Sequence, residues 1–541
     1  MAFKFLPLLL AIASVSGSTV TVPRRGLLAP QKRDTSTPTC FAPATKLPPP
    51  KAADVKSAVA SADAYLRALA QTDEVDSVVA AIVTPDGSIY EGTYGSLRAN
   101  DSALVGLTVD RDSIYRIASV TKVFTAWESY ILRDRGVLGL DDKVSKYLPS
   151  FKLDTTVRQL ATHMSGIPGT LPAGNMSSWP HGFDGSGNPP DNGLPFPTEA
   201  DTIAAINSAT LMVAPYTFPL YSDTAYGVLG LVNAAADGKV NGQYAALIKR
   251  DIFDKLGMSS SSFKAPASTE RVVVSSSEPV EADYDFLNAM DGAGGQLSSL
   301  ADLIKSQQVL LDPSRSGSNI SPYTVREWMR PLYNFADDFF SVGHVWEIVK
   351  RKDSSGRPYQ FYEKNGALNG FHTLYGLNPD SGYGIIVLMS GSNFDPHGVA
   401  WELQDIFQPA IDTYRASVLK NTYAGSYVSA DGKSKTSISV RNGNLYADAF
   451  VLDEEDILVA LQGPDTQPVA LWPVAEDGLT FRLSFGMPGL NGAPNYGCIL
   501  EMVGFDPGYA RGKAIGLVQF AVEGGKKVIN VPSTGGKLIF A

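Results

Sequence analysis

Apolar residues at Val55, Val59, Ala62, Leu66 and Leu69 recur in steps of four and three, which predicts a helix over 55–71 with one buried stripe. The period then changes. Val78 to Thr84 is an apolar run, Pro85-Asp86-Gly87 is a turn and Ser88 to Glu91 resumes, so a hairpin is expected after the helix. A second hairpin is legible at Phe371 to Leu377 and Gly384 to Met389, joined by Asn378-Pro379-Asp380-Ser381-Gly382. Between the hairpins the pattern is mostly helix and loop. The chain thus reads as a sheet whose strands come from both ends of a domain, with a large helical insertion in the middle. From about Tyr423 it shortens to alternating segments, Ser437 to Arg441, Asn444 to Phe450 and Ile457 to Leu461, separated by Gly, Asp and Asn, which reads as a separate all-β module.

At 541 residues, with 44% hydrophobic and 18% charged positions, the chain has enough core for two domains and a leader. Met1 to Ser18 carries one Lys, an apolar run from Phe5 to Ala13 and small residues near Gly17, the form of a secretory signal peptide. Residues 19–54 then form a propeptide or N-terminal arm. Arg24-Arg25 and Lys32-Arg33 read either as processing sites or as basic pairs in a flexible segment. The main domain is expected over 55–415 and the β module over 416–541. No later run is apolar enough to span a bilayer, so a secreted protein without a membrane span is expected. Asn100, Asn175 and Asn319 each begin an Asn-x-Ser glycosylation sequon. Cys40 and Cys498 are the only cysteines, and an even number in an exported chain reads as one disulfide, or else as two free thiols. A net charge of −10 with no basic cluster excludes nucleic acid as a partner.

Candidate chemistry centres on Ser119-Val120-Thr121-Lys122, at the start of a predicted helix whose apolar face is Val123, Phe124, Trp127, Tyr130 and Ile131. Residues three apart share a helix face, so an amine lies within reach of a hydroxyl, which is one way to activate a serine nucleophile. Spacing alone does not select it. Ser261 and Lys264, and Ser417 and Lys420, have the same separation, and an N-capping serine beside a solvated lysine has the same spelling. Gly166 to Asp201, rich in Gly, Pro and Asn and carrying Trp179, His181 and Phe183, reads as a lid or substrate wall, or as a surface loop. There is no Gly-x-Ser-x-Gly elbow, no zinc motif among the five histidines, and no Walker or Rossmann glycine pattern, so neither metal nor cofactor is expected.

Several segments together resemble the serine β-lactamase and penicillin-binding-protein superfamily, in its class C-like esterase and peptidase branch, over roughly 55 to 410. They are Ser119 to Lys122, Val157 to Pro168 with its Thr162-His163-Met164-Ser165-Gly166, Phe253 to Met258, and Ala293 to Leu303 with its double glycine. The resemblance implies an α/β (α+β) transpeptidase-like fold, an antiparallel sheet flanked by helices. The β module is similar to the small lipocalin-like barrels attached to some members.

By the same resemblance Tyr221-Ser222-Asp223 stands where the family carries Tyr-x-Asn, with Tyr221 as a proton shuttle ionising below its free value of about 10 between two cations. Asp223 replaces the usual amide donor. It is expected to disfavour carboxylate-bearing substrates and, paired with Lys122, to move the role of base towards Tyr221. Lys364-Asn365-Gly366 matches the Lys-Thr-Gly position, with Glu363 expected to blunt the lysine. The oxyanion hole would be the backbone N–H groups of Ser119 and Ala367. Ser119, Lys122 and Tyr221 would then form an acyl-enzyme from an ester or amide of a small molecule or peptide. Acyl transfer to an alcohol, β-lactam or D-peptide hydrolysis, and a secreted binding protein that keeps only the fold are the alternatives. The sequence leaves the oligomeric state open.

Overall fold

The computed structural model describes residues 40–99, 106–462, 466–485 and 498–541. The expected leader, most of the 19–54 segment and the Asn100 sequon lie outside these residues.

Side-chain alternation decides the layering. In the strand Val75–Thr84, Val78, Ala80 and Ile82 face one side and Val79, Ala81 and Val83 the other, and all six are fully buried. A strand apolar on both faces requires cover on both. The first set packs against the helices Lys56–Leu69 and Pro396–Tyr423, through Ala58, Ala62, Leu66, Leu403, Phe407 and Ile411. The second packs against the helical insertion, which carries Phe124, Trp127, Leu229 and Leu303.

Among the described residues the sheet is antiparallel throughout and has eight strands, in the order Gly87–Gly95, Val75–Thr84, Tyr383–Gly391, Phe371–Asn378, Pro358–Ala367, Glu347–Lys352, Phe340–Val342 and Tyr333–Asn334. Both expected hairpins are present, and the strand from the first one, Val75–Thr84, pairs with Tyr383–Gly391 of the second. The sheet is therefore assembled from both ends of the domain, with the insertion between.

The helix Pro396–Tyr423 runs unbroken through the boundary expected near 415, and the second sheet starts at Gly425. Among the described residues its strands pair in chain order, and Lys435–Arg441 pairs with both Gly425–Val428 and Asn444–Leu452, which closes an eight-stranded antiparallel barrel with a two-residue strand, Glu455–Asp456, at its margin. Tyr427, Leu445, Phe450, Leu471, Phe481 and Phe520 occupy its interior. Two segments depart from the expected all-β texture, for Ile457–Gln462 and Ile499–Gly504 are helical. The Asp456 carboxylate accepts from the N–H groups of Leu458 and Val459, a cap that starts a helix where alternation alone suggests a strand.

Cys40 and Cys498 form a disulfide spanning 458 residues of sequence. The arm after Cys40 lies along the long helix, with Arg415 donating to the Thr45 carbonyl at 2.8 Å. Among the described residues no helix is long and apolar enough to cross a membrane.

Candidate active site

Ser119 is placed by what precedes it. The strand Ile114–Arg116 pairs with Leu297–Ser299 and feeds a 3₁₀ turn, Ala118–Val120, which continues as the helix Thr121–Asp134. Ala118 turns the chain with a φ of 46°, a region costly for an L side chain and held here by its surroundings. The Ile117 carbonyl accepts from the Thr373 hydroxyl at 2.9 Å, and the buried Arg116 guanidinium donates to the carbonyls of Glu281, Ala282, Tyr284 and Gly295. These contacts tie the turn to the sheet and to the insertion.

The Ser119 hydroxyl is partly exposed and accepts from Lys122 Nζ at 2.9 Å and from Tyr221 Oη at 2.8 Å. Lys122 is wholly buried and also donates to Asp223 Oδ1 at 2.6 Å and to the Ala293 carbonyl at 2.5 Å. The double-glycine segment thus supplies a carbonyl to the amine. Burial holds the Lys122 pKa down to about 8, against the pull of Asp223, and Lys364 lowers it further.

Asp223 opens the helix Asp223–Asp237, where the helix dipole favours a carboxylate. Its pairing with Lys122 is present, and burial of Lys122 outweighs the carboxylate in setting the amine's pKa. Tyr221 itself departs from expectation. Burial first, then Asp223 and Glu347, push its pKa well above 10. Both lysine ammoniums sit over its ring, at 5.0 and 5.1 Å from the centroid, and its hydroxyl donates to Ser119. It is a neutral phenol at rest.

The turn residues that reading for chemistry missed include His163. Its ring lies 4.6 Å from that of Tyr221, and its Nδ1 accepts from the Ser222 N–H at 3.1 Å. Burial, aided by the two lysines, holds its pKa well below 6.5, so it acts as a neutral prop behind Tyr221. A histidine in a family-like segment was the available signal.

Lys364, Gly366 and Ala367 lie at the end of the strand Pro358–Ala367. A Cβ on Gly366 would meet the Ile117 carbonyl at 2.2 Å and the Ser119 nitrogen at 3.1 Å, so only glycine lets the strand approach the serine turn. This approach brings the end of the strand against the serine turn. The adjacent turn is pinned by Glu281, whose carboxylate accepts from the N–H groups of Asn369 and Gly370 at 2.8 Å each.

The carboxylate that meets Lys364 is not Glu363. Successive strand residues face opposite sides, and Glu363 binds His397 and Trp401 on the far face. Glu347, from the neighbouring strand, contacts Lys364 Nζ at 2.7 Å, while Lys364 also donates to the Asn365 carbonyl at 2.8 Å and to Asn365 Oδ1 at 3.0 Å.

The loop 166–201 reaches both sides of this cleft. Asn188 Nδ2 donates to Asp223 Oδ2 at 3.0 Å, and Asp191 accepts from Asn369 Nδ2 at 3.1 Å. The other serine–lysine pairs are elsewhere. Ser261 bonds Ser298 and Asp302 while Lys264 pairs with Asp285, and Ser417 and Lys420 lie on the long helix. Asn175 is exposed, whereas Asn319 donates its amide to the Asp251 carbonyl at 2.9 Å. Among the described residues no cluster of His, Cys, Asp and Glu is arranged to hold a metal.

A family model described as Beta-lactamase matches residues 62–407. Beta-lactamase-like protein str6 of Strobilurus tenacellus is 35% identical over 54% of this chain and 97% of its own length. Among solved structures, an octameric penicillin-binding protein homologue from Pyrococcus abyssi aligns with a TM-score of 0.51 at 21% identity, covering 90% of this chain and 99% of the other. A class C beta-lactamase aligns with a TM-score of 0.53 at 18% identity, covering 65% and 97%.

Proposed function

Because this chain belongs to the Beta-lactamase family, we propose that it is a serine hydrolase of the esterase or amidase type, working through an acyl-enzyme on Ser119. The observation that carries this reading is the convergence of Lys122 Nζ and Tyr221 Oη on one partly exposed serine hydroxyl. Both contacts fall within the reach that proton transfer needs.

In this reading neutral Lys122 takes the Ser119 proton as Oγ bonds to the substrate carbonyl carbon. The oxyanion is held by the N–H groups of Ser119 and Ala367, each such donor typically lowering the barrier by about 3 kcal/mol. The bond to the leaving group then breaks, and the proton on Lys122 returns to it by way of the Tyr221 hydroxyl. Water repeats the cycle on the acyl-enzyme, restoring the serine. Asp223 and Ala293 fix the amine, and His163 fixes the phenol.

The apolar leader and the single disulfide support export of the protein. The closed meander supports the lipocalin-like reading of the barrel, with a packed interior that suits a structural role.

Exposure to a fluorophosphonate followed by intact mass and peptide mapping tests the nucleophile without knowledge of the substrate. One adduct on Ser119, absent in Ser119→Ala, is expected. A folded protein that takes up no adduct would favour a binding protein of the same fold.

A further inference from the structure

Each cation in the cleft carries its own carboxylate. The three protons of the Lys122 ammonium go to Ser119, Asp223 and Ala293, and those of Lys364 go to Glu347 and to the two oxygens of Asn365. Lys364 is 1% exposed and Glu347 23%, so the carboxylate is the part of this pair that a ligand meets. Glu347 Oε2 also accepts from the Asn365 N–H at 3.3 Å, which holds it across the mouth of the lysine. The charged groups acting on Lys122 are Asp223, Lys364 and Glu347, a set with no uncompensated positive charge.

Beyond Glu347 the sheet edge is aromatic. Glu347 pairs with Val342, which pairs with Tyr333, and Tyr333 packs with Phe335 and Phe218 at centroid separations of 5.3 and 5.8 Å. Phe218 stands three residues before Tyr221.

A substrate carboxylate entering beside the scissile bond would find both ammoniums fully donated and two carboxylates facing it. Like charges brought together in a partly desolvated cleft discriminate strongly between ligands. Resting on the acyl-enzyme reading above, the geometry points to Glu347 as the residue that sets specificity, restricting the enzyme to acyl compounds with no carboxylate near the reacting carbonyl, namely neutral esters with an aromatic or apolar portion. Asp223, the substitution visible in the sequence, contributes one half of this charge balance, and Glu347 contributes the other.

The test uses a matched pair, methyl 4-acetoxybenzoate and 4-acetoxybenzoate, which share ring and scissile ester and differ in whether the carboxylate is capped. Wild-type kcat/KM is expected to favour the neutral member by at least about tenfold. Glu347→Gln is expected to narrow that ratio by about tenfold, through a faster reaction of the carboxylate member. The ratio is taken on one preparation, so partial loss of folded protein cancels. Equal wild-type rates, preference for the carboxylate member, or a ratio unchanged in Glu347→Gln would overturn the proposal. If Glu347→Gln does not fold, Glu347→Ala is read in the same way, and an unchanged ratio there likewise overturns the proposal. Fluorophosphonate labelling separates the two levels, since a labelled Ser119 with equal rates refutes the role of Glu347, and an unlabelled Ser119 refutes the hydrolase reading beneath it.

Discussion

Asp223→Asn probes the electrostatics of the amine directly. Burial draws the Lys122 pKa down to about 8, and the Asp223 carboxylate, 2.6 Å away, is the largest influence raising it. At an effective dielectric of about 20 a full charge pair at this contact is worth at most about 6 kcal/mol. A neighbouring opposite charge typically moves a pKa by roughly 1–3 units, or about 1.4–4 kcal/mol. Asparagine keeps the accepting oxygen and removes the charge, so the Lys122 pKa falls. Only the neutral amine accepts the serine proton, so kcat/KM rises with pH through the lysine pKa. In wild type that limb is centred at about 8, and in Asp223→Asn it is expected between roughly 5 and 7. At about pH 6 the neutral fraction then climbs from roughly 1% to between roughly 10% and 90%, while the plateau drops because a weaker base transfers the proton less well. The assay is kcat/KM for a neutral aryl ester across pH, with the fluorophosphonate labelling rate as a second readout. Asn188→Ala controls for the lost loop contact and should leave the limb where it is. A limb that stays near 8 in Asp223→Asn, or moves upward, would show that Lys122 is not the group whose deprotonation starts the reaction.

Gly366→Ala should lose labelling of Ser119 and about 1–3 kcal/mol of stability, because the new methyl meets the Ile117 carbonyl; wild-type labelling and melting temperature together would contradict this. Asp291 has a buried oxygen without a hydrogen-bond partner, and burial, with Asp285, pushes its pKa up to about 7. A carboxyl raised on folding favours the native state below its ordinary range and costs stability as pH rises through 7. Asp291→Asn is therefore expected to leave the melting temperature nearly unchanged at about pH 4 and to raise it above pH 7, by up to about 4 kcal/mol in free energy; a difference independent of pH would refute it. In a glycosylating host, peptide mapping should find glycan at Asn175 and none at Asn319, whose amide nitrogen is committed to Asp251.

Much of the site could be read from the chain because its parts are local. Ser119 and Lys122 share one helical turn, Tyr221 and Asp223 are neighbours at a helix start, and Lys364 and Gly366 end one strand. Helix and hairpin periods likewise gave the N-terminal helix and both hairpins. The barrel appeared as short alternating segments, whereas its closure depends on Lys435–Arg441 pairing on both sides. Glu347 was invisible for a different reason. It reaches Lys364 by a side-chain contact from the neighbouring strand, and no spacing encodes that, so adjacency favoured Glu363, which alternation turns to the other face. Tyr221 was misjudged because two nearby cations are evident from a resemblance, while the burial that opposes ionisation belongs to the folded chain.

The bond between Cys40 and Cys498 makes the polypeptide a ring over most of its length, since the joined positions are 458 apart in sequence. A single cut anywhere within the ring, even through the helix that links sheet to barrel, leaves one covalent molecule. The two folded units part only when a chain break and a reduced sulfur pair coincide. A protease acting where thiols stay oxidised can therefore nick this chain without releasing its barrel from its serine.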